Sequence, residues 1–167
     1  MAVLIRKARE SDLFALTKLY NYYIENTAIT FDIEPYTLEQ RREWFRHYNH
    51  SSRYLLCVAE QDHEILGYAS TSLFNPKAAF QTSVETSIYL HPRKTGKGVG
   101  TCLYTQLFNE LKQADVHRAY AGITYPNPVS IAFHQKFGFK EAGIFHQVGR
   151  KFGKYHDVYW LEKKLVR

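Results

Sequence analysis

The strongest structural signal in this chain lies near its middle, in the stretch Ser87-Ile88-Tyr89-Leu90-His91-Pro92-Arg93-Lys94-Thr95-Gly96-Lys97-Gly98-Val99-Gly100. A short apolar strand leads through a basic turn and a glycine-rich loop into the start of a helix. Such a junction points several backbone N–H groups at one place, in front of the positive end of a helix dipole, and so binds phosphate well. Glycine allows positive φ and close approach to a ligand. The stretch therefore predicts a site for a phosphorylated cofactor.

Two common phosphate-binding motifs do not fit this loop. A P-loop requires G-x-x-x-x-G-K-[ST], and Gly96-Lys97-Gly98 has no such frame. A dinucleotide-binding turn requires G-x-G-x-x-G and an acidic residue about 20 residues later, beyond a second strand. Here the third glycine comes two positions after the second, and Asp115 follows a helix. A purely structural turn is the remaining alternative at this point.

Length and composition indicate a single domain over residues 1–167. A chain of 167 residues with 45% hydrophobic and 23% charged residues can form a sizeable core. No apolar run approaches the roughly 18 residues of a membrane span, and Arg6, Lys7 and Arg9 interrupt any N-terminal signal segment. We therefore expect a cytoplasmic protein without a membrane partner.

The net charge of +6 raises the question of a nucleic-acid partner. The basic residues are scattered, apart from clusters at 93–97, 150–154 and 163–164, and no nucleic-acid-binding motif is present. We expect no such partner. Cys57 and Cys102 have no metal-ligand spacing, so we expect two reduced, buried thiols and no metal site.

Hydrophobic periodicity predicts the element order β-α-α-β-β-β-α-β-α-β-β. Capping signals support the second and fourth helices: Thr37 with Gln40 forms a capping box, Asn127 precedes Pro128, and Gly138 follows the last helical turn. The predicted strands are 3–5, 53–60, 65–73, 82–90, 119–124, 141–148 and 157–165, and the predicted helices are 11–26, 38–47, 98–114 and 128–137.

The loop pattern Arg93-x-x-Gly96-x-Gly98, taken with this element order, resembles the R/Q-x-x-G-x-G/A signature of the GNAT N-acetyltransferases. The resemblance implies an α/β (α+β) fold with a mixed, mostly antiparallel sheet whose fourth and fifth strands splay apart. It also implies acetyl-CoA as the cosubstrate, with its pyrophosphate on the loop.

Longer stretches are similar to one branch of that family, the phosphinothricin acetyltransferase-like branch, which includes methionine sulfoximine and methionine sulfone acetyltransferases. The similarity spans roughly residues 3–165. The matching stretches are Thr27 to Phe31, Glu34-Pro35, Ser83-Val84-Glu85, Asn127-Pro128-x-Ser130, Phe133-His134-x-Lys136-Phe137-Gly138-Phe139 and Gly153 to Val158.

Glu85 is the predicted catalytic base. It lies within a strand between Val84 and Thr86, where a carboxylate is a poor strand former. Acetylation needs a neutral amine, and a carboxylate beside the thioester can accept the proton of an ammonium group. The resemblance places Glu85 at the branch's base position, with an exposed, structurally idle glutamate as the alternative.

The remaining catalytic roles, and the cofactor contacts outside the glycine-rich loop, come from the resemblance. A backbone N–H of the fourth strand would stabilise the developing oxyanion, and His134 stands where many relatives carry a proton-donating tyrosine. A purely structural histidine is the alternative. The residues expected to contact the cofactor are Ile88, Tyr89, Leu90, Arg93, Lys94, Thr95, Gly96, Lys97, Gly98, Val99, Gly100, Thr101, Asn127, Ser130 and Lys136.

The sequence defines the residues that would contact the acceptor molecule less well than those that would contact the cofactor. Aromatic walls are expected from Phe31, Tyr36, Phe74 and Phe80, each of which could equally be part of the core. Lys77 stands where the branch commonly has an arginine, and as a point charge it could hold a substrate carboxylate. Thr82 and Phe74 stand where relatives often carry tryptophan.

The resulting prediction is an acetyl-CoA-dependent transferase that acetylates the primary amine of a small amino-acid-like molecule such as phosphinothricin, methionine sulfoximine or methionine sulfone. The alternatives are another acceptor (a polyamine, an aminoglycoside or a protein N-terminus) and a catalytically silent CoA-binding module. The resemblance also implies a homodimer.

Overall fold

The computed structural model describes residues 2–48, 53–95 and 98–165. Within them the chain forms four α-helices and one seven-stranded sheet in the order β1-β2-β3-β4-β5-β7-β6. The predicted element order and fold class are confirmed. The strands are β1 Leu4–Lys7, β2 Leu56–Gln61, β3 Glu64–Leu73, β4 Ser83–Leu90, β5 Arg118–Tyr125, β6 Lys140–Lys151 and β7 Lys154–Lys164, and the helices are α1 Leu13–Asn26, α2 Leu38–Arg46, α3 Val99–Leu111 and α4 Pro128–Lys136.

The helix ends follow the predicted capping chemistry. At α2 the Gln40 amide donates to Thr37 Oγ1 at 3.3 Å, and the Thr37 amide donates to Gln40 Oε1 at 2.9 Å. At α4 the Ser130 amide donates to Asn127 Oδ1 at 3.1 Å, ahead of Pro128 in the first turn. Both caps are therefore confirmed, and they fix the directions in which α2 and α4 leave the sheet.

The two faces of the sheet bury different helices. On one face α3 packs through Leu103, Leu107 and Leu111 against the apolar side chains of the central strands. On the other face Leu16 of α1 and Phe45 of α2 pack against β2 and β3. Because side chains alternate along a strand, β4 presents Val84, Ile88 and Leu90 to the α3 side, and Glu85, Ser87 and Tyr89 to the α1–α2 side.

The sheet forks between β4 and β5. These strands pair in parallel over Ser83–Arg118, Val84–Ala119 and Glu85–Tyr120, and no later pair follows within the described residues. At the fork the Thr86 hydroxyl donates to the Tyr120 carbonyl at 3.1 Å. This confirms the predicted splaying of the fourth and fifth strands.

The final hairpin is longer than predicted. Strands β6 and β7 run almost to their shared turn, where Phe152 and Gly153 take φ values of 51° and 72°, as a tight two-residue hairpin requires. The pattern obscured these strands because two bulges interrupt β6 and because Phe145, Val148 and other apolar side chains of the hairpin are exposed.

One predicted burial is wrong. Cys57 is buried in β2 as expected, but Cys102 is exposed. It lies on the outward side of α3, away from the stripe formed by Leu103 and Leu107. Among the described residues no helix is long and apolar enough to cross a membrane.

Candidate active site

A groove of about 510 Å³ runs along the open edge of β4, between the start of α3 and the helix α4. It brings together eleven of the residues predicted to contact a cofactor. They are Ile88, Tyr89, Leu90, Thr95, Gly98, Val99, Gly100, Thr101, Asn127, Ser130 and Lys136. Of the other four, Arg93 and Lys94 do not line this groove, and Gly96 and Lys97 lie outside the described residues.

The α3 end of the groove is suited to a phosphate group. Gly98 caps the helix with φ +77°, a left-handed conformation that glycine adopts without strain. The first bond of the helix runs from the Cys102 amide to the Gly98 carbonyl, so the amides of Val99, Gly100 and Thr101 have no partner in the helix itself. Unpaired amides in front of a helix dipole suit an anion, as the sequence predicts for this position.

The open edge of β4 supplies main-chain groups to the same groove. The His91 amide donates to the Leu66 carbonyl of β3, so the main-chain groups of Leu90 and Ile88 alternate toward the opposite side, where β5 has splayed away. The Tyr23 hydroxyl donates to the Leu90 carbonyl at 2.5 Å. The Ile88 and Leu90 amides are thus placed to donate to a ligand.

Gly100 allows α3 to approach β4 closely. A Cβ atom at this position would lie 3.4 Å from both Leu90 Cδ1 and Phe133 Cε2, and 3.5 Å from Ile88 Cδ1. A larger side chain would push these three residues apart. Phe133, Tyr23, Ile29 and Val129 also line the groove and were not predicted to do so, because an apolar or aromatic residue at these positions is equally typical of the core.

A second, much smaller cavity of about 50 Å³ lies in the fork itself. It shares Ile88, Tyr89, Asn127 and Ser130 with the groove, and it is also bordered by His134. The small volume fits a two-carbon acyl group far better than a large substituent.

Glu85 stands at the last paired position before the fork. Its side chain shares the α1–α2 face with Tyr89, and its negative charge is one of the influences that, after burial, raise the pKa of Tyr89 to about 12. Burial raises the pKa of Glu85 itself above the ordinary value of 4.5. A carboxylate with a raised pKa is a better proton acceptor than an exposed one.

His134 is buried and has both ring nitrogens occupied. Nδ1 lies 2.8 Å from the Ser130 carbonyl oxygen, which can only accept, so Nδ1 carries the proton. Nε2 then accepts from the Tyr104 hydroxyl at 2.8 Å. Burial lowers the pKa of His134, so the ring is neutral near pH 7.

A third cavity, of about 480 Å³, opens on the opposite face of β4 beneath α2. Ser87 and Tyr89 line both this cavity and the one in the fork, so both spaces border β4 at these residues. Ser72, the cross-strand partner of Glu85, also lines it. The space is therefore in the right place for an acceptor molecule.

The five predicted acceptor residues are not brought together. Tyr36 lines the cavity beneath α2, whereas Phe31 packs near His156 with ring centroids 6.0 Å apart. Phe74 stacks on Tyr120 at 4.3 Å and also contacts Phe80. Lys77 lies exposed in the loop before β4. Within the part of the chain that the structure describes, no three His, Cys, Asp or Glu residues gather as metal ligands would.

Comparison with known proteins agrees with this geometry. The family profile of the acetyltransferase (GNAT) domain matches residues 5–160. A phosphinothricin N-acetyltransferase of Streptomyces coelicolor is 48% identical over 165 residues, covering 98% of this chain and 96% of that protein. An L-methionine sulfoximine/L-methionine sulfone acetyltransferase of Pseudomonas aeruginosa is 32% identical, covering 99% of this chain and 96% of that protein.

A solved structure also matches the fold closely. It is a phosphinothricin acetyltransferase from Sinorhizobium meliloti in complex with acetyl-CoA, with a TM-score of 0.93, 29% identity, and coverage of 99% of this chain and 89% of that chain. The forked sheet, the groove along β4 and the profile match define an acetyltransferase, and the chain belongs to the GNAT family. GNAT acetyltransferases use acetyl-CoA. The predicted likeness to the phosphinothricin and methionine sulfoximine acetyltransferases is confirmed.

Proposed function

We propose that this protein transfers the acetyl group of acetyl-CoA to the primary amine of a small amino-acid-like molecule of the phosphinothricin, methionine sulfoximine or methionine sulfone type. The observation that carries the proposal is the position of Glu85. It stands at the fork of the sheet, and its cross-strand partner Ser72 lines the cavity beneath α2. The names and high identity of the relatives support the choice of acceptor.

The groove fits acetyl-CoA by the chemistry of its donors. The free amides at the start of α3 suit the pyrophosphate, and the open main-chain groups of Ile88 and Leu90 suit the amides of the pantetheine arm. Asn127, Ser130 and Lys136 line the opposite wall. When bound, the cosubstrate supplies an acetyl thioester at the fork.

Glu85 would remove the proton that makes the acceptor amine unreactive. This ammonium proton passes to the Glu85 carboxylate, either in contact or through one water, and the neutral amine nitrogen then attacks the thioester carbon directly. Because its pKa is raised, the Glu85 carboxylate binds a proton more strongly than an ordinary glutamate does. The carbonyl oxygen gains negative charge in this step and would accept a hydrogen bond from the amide of Ile88 or Leu90.

The departing thiolate must take up a proton after the C–S bond breaks. His134 borders the cavity in the fork, and we assign this step to the hydrogen-bonded pair of His134 and Tyr104, which would give one proton to the sulfur and regain one from the nitrogen as the amide forms. The pair holds one N–H and one O–H in a site shielded from bulk water.

Acceptor recognition would fall to the cavity beneath α2 and the loops around it. Tyr36 lines this cavity, and Phe31 lies on the loop that leads to it. We keep Phe74, Phe80 and Lys77 as proposed contacts for the outer part of the acceptor. A homodimer remains a prediction from the resemblance, and the exposed apolar side chains of the β6–β7 hairpin are the surface that such a dimer would bury. A cytoplasmic location also remains a prediction from the sequence.

The proposed activity is tested by measuring CoA release with a thiol reagent across a panel of acceptors. We expect turnover with phosphinothricin, methionine sulfoximine or methionine sulfone, and little with a polyamine, an aminoglycoside or a peptide N-terminus. Turnover only with a polyamine, an aminoglycoside or a peptide N-terminus would mean that this class of molecule, and not an amino-acid-like molecule, is the acceptor. Tight acetyl-CoA binding without turnover on any amine would indicate a CoA-binding module.

A further inference from the structure

A charged side chain of α2, Arg41, lies buried without an ion-paired carboxylate among the described residues. Arg41 is only 3% exposed, although its guanidinium is charged at any pH that a protein experiences. Its Nε and Nη2 atoms are buried and have no hydrogen-bond partner among residues 2–48, 53–95 and 98–165. In the same described ranges Arg41 forms no ion pair with a carboxylate. A buried charge left in this condition is costly unless something else balances it.

Aromatic rings hold the guanidinium in place. Its central carbon lies 3.4 Å from the ring centroid of Trp44, 4.7 Å from that of Tyr20 and 5.7 Å from that of Tyr36. Such contacts partly offset the loss of water around a cation. A ring attracts the charge but accepts no conventional hydrogen bond, and the Nε and Nη2 donors remain unpaired.

The two unpaired nitrogens belong to the same edge of the guanidinium. Nε and Nη2 carry parallel N–H bonds, and this pair is the fork that binds both oxygens of a carboxylate or phosphinate. A lysine at this position would offer one point charge and no fork. The vacant donors therefore specify a planar or tetrahedral acid as the missing partner.

Arg41 forms part of the wall of the 480 Å³ cavity, which borders β4 at Ser87 and Tyr89 as the cavity in the fork does. Asp32 also lines this cavity, but its carboxylate accepts the Tyr20 hydroxyl at 2.5 Å. Ser72, the cross-strand partner of Glu85, lines the same space, so an acceptor amine near Glu85 would extend the rest of its molecule toward Arg41.

We propose that Arg41 is the binding residue for an acidic group of the acceptor, either its α-carboxylate or a phosphinate at the end of its side chain. The inference rests on the proposed function, because it concerns the acceptor of that reaction. It names a different residue from the one that the sequence indicated, since Lys77 lies exposed and outside this cavity.

The test combines removal of the residue with removal of each acidic group. Values of kcat/KM are measured for wild type and Arg41→Met with three acceptors: phosphinothricin, its analogue without the carboxylate (3-aminopropyl(methyl)phosphinic acid), and L-norvaline, which keeps the carboxylate and lacks the phosphinate. Arg41→Met should lower kcat/KM for phosphinothricin about 100-fold, as expected for loss of a charge-assisted fork. The loss should shrink to about 3-fold or less for the analogue that lacks the group bound by Arg41.

Controls separate recognition from folding. Arg42→Met removes the adjacent arginine of the same helix, which is partly exposed and paired with Glu39. It should leave kcat/KM unchanged for all three acceptors. Acetyl-CoA affinity and the thermal unfolding temperature are measured for every variant. If Arg41→Met does not fold, Arg41→Lys is used, since it keeps the charge without the fork. Its losses of kcat/KM should be smaller but should depend on the acceptor in the same way.

The outcomes are distinct. A loss that depends on the carboxylate or on the phosphinate supports the inference and identifies the group. An equal loss of kcat/KM on all three acceptors would show that Arg41 only supports the fold, and it would overturn the inference. The inference would also be overturned if Lys77→Met, and not Arg41→Met, caused a loss that depends on the acceptor carboxylate. If wild type does not acetylate phosphinothricin at all while binding acetyl-CoA, the proposed acceptor fails, and the inference fails with it.

Discussion

The Tyr104 hydroxyl lies 2.8 Å from Nε2 of His134, and both residues are almost completely buried. Because Nδ1 donates to the Ser130 carbonyl, Tyr104 must be the donor in this pair. The bond joins α3 to α4 directly behind the fork of the sheet. His134, which the resemblance marks as a proton donor, is thus also a link between two helices.

Removing the Tyr104 hydroxyl should destabilise the protein. Tyr104→Phe leaves Nε2 of His134 buried without a donor, and an unsatisfied buried acceptor costs about 1–3 kcal/mol. Urea unfolding near pH 7.5 measures the change in the free energy of unfolding. Tyr155→Phe is the control, because that side chain is exposed and its replacement should change stability by less than about 0.5 kcal/mol. Equal, small effects of both variants would mean that the buried bond contributes nothing.

Glu85→Gln should nearly abolish turnover while leaving the cosubstrate site intact. The amide cannot accept the amine proton, so we expect kcat to fall by about 100-fold or more, with an unchanged acetyl-CoA dissociation constant. Steady-state kinetics and calorimetric titration measure the two quantities. Glu25→Gln, on the exposed side of α1, should alter neither. Turnover close to wild type in Glu85→Gln would remove Glu85 from the role of base.

The same variant should be more stable than wild type at neutral pH. Because the folded-state pKa of Glu85 is raised above 4.5, folding favours its protonated form. The stability it contributes is therefore complete below pH 4.5 and is lost as the pH rises through the folded-state pKa. Glutamine resembles the protonated form at every pH. Urea unfolding should show an advantage for Glu85→Gln at pH 7.5 that disappears near pH 4.5, and a constant difference at both values would contradict the raised pKa.

Much of this architecture could be predicted from local sequence signals. The caps at Thr37 and Asn127, the glycine at 98 and the apolar stripe of α3 each depend on neighbours a few residues away. The unpaired guanidinium of Arg41 could not be foreseen in this way. An arginine on an amphipathic helix normally points to solvent, and its burial among Trp44 and Tyr20 is decided by how α2 packs on the sheet. Pairings such as that of Tyr104 with His134 likewise depend on the packing of distant segments.

Replacing Gly98 tests the cosubstrate groove, and the same replacement at Gly153 shows the effect of backbone strain alone. A Cβ atom at residue 98 would contact nothing within 4 Å, so Gly98→Val acts through its φ of +77° and not through added bulk. Gly153 has φ +72° and equally open surroundings, at the tip of the β6–β7 hairpin. Valine at either position should cost about 1–2 kcal/mol of stability. Only Gly98→Val should weaken acetyl-CoA binding, by about 10-fold or more, since it reorients the first amides of α3. Equal affinities in calorimetric titration would exclude the α3 terminus from the cosubstrate site.

The contact between Phe31 and Gly149 tests whether the loop between α1 and α2 shapes the acceptor site. A Cβ atom at Gly149 would overlap the Phe31 ring, so Gly149→Ala must displace that side chain or bend the hairpin. We expect KM for the acceptor to rise several-fold while the acetyl-CoA dissociation constant stays the same, because neither Phe31 nor Gly149 lines the groove along β4. Gly153→Ala strains the same hairpin without approaching Phe31 and should leave the acceptor KM unchanged. A rise in KM in both variants would trace the effect to the hairpin, and an unchanged KM in Gly149→Ala would place Phe31 outside the acceptor site.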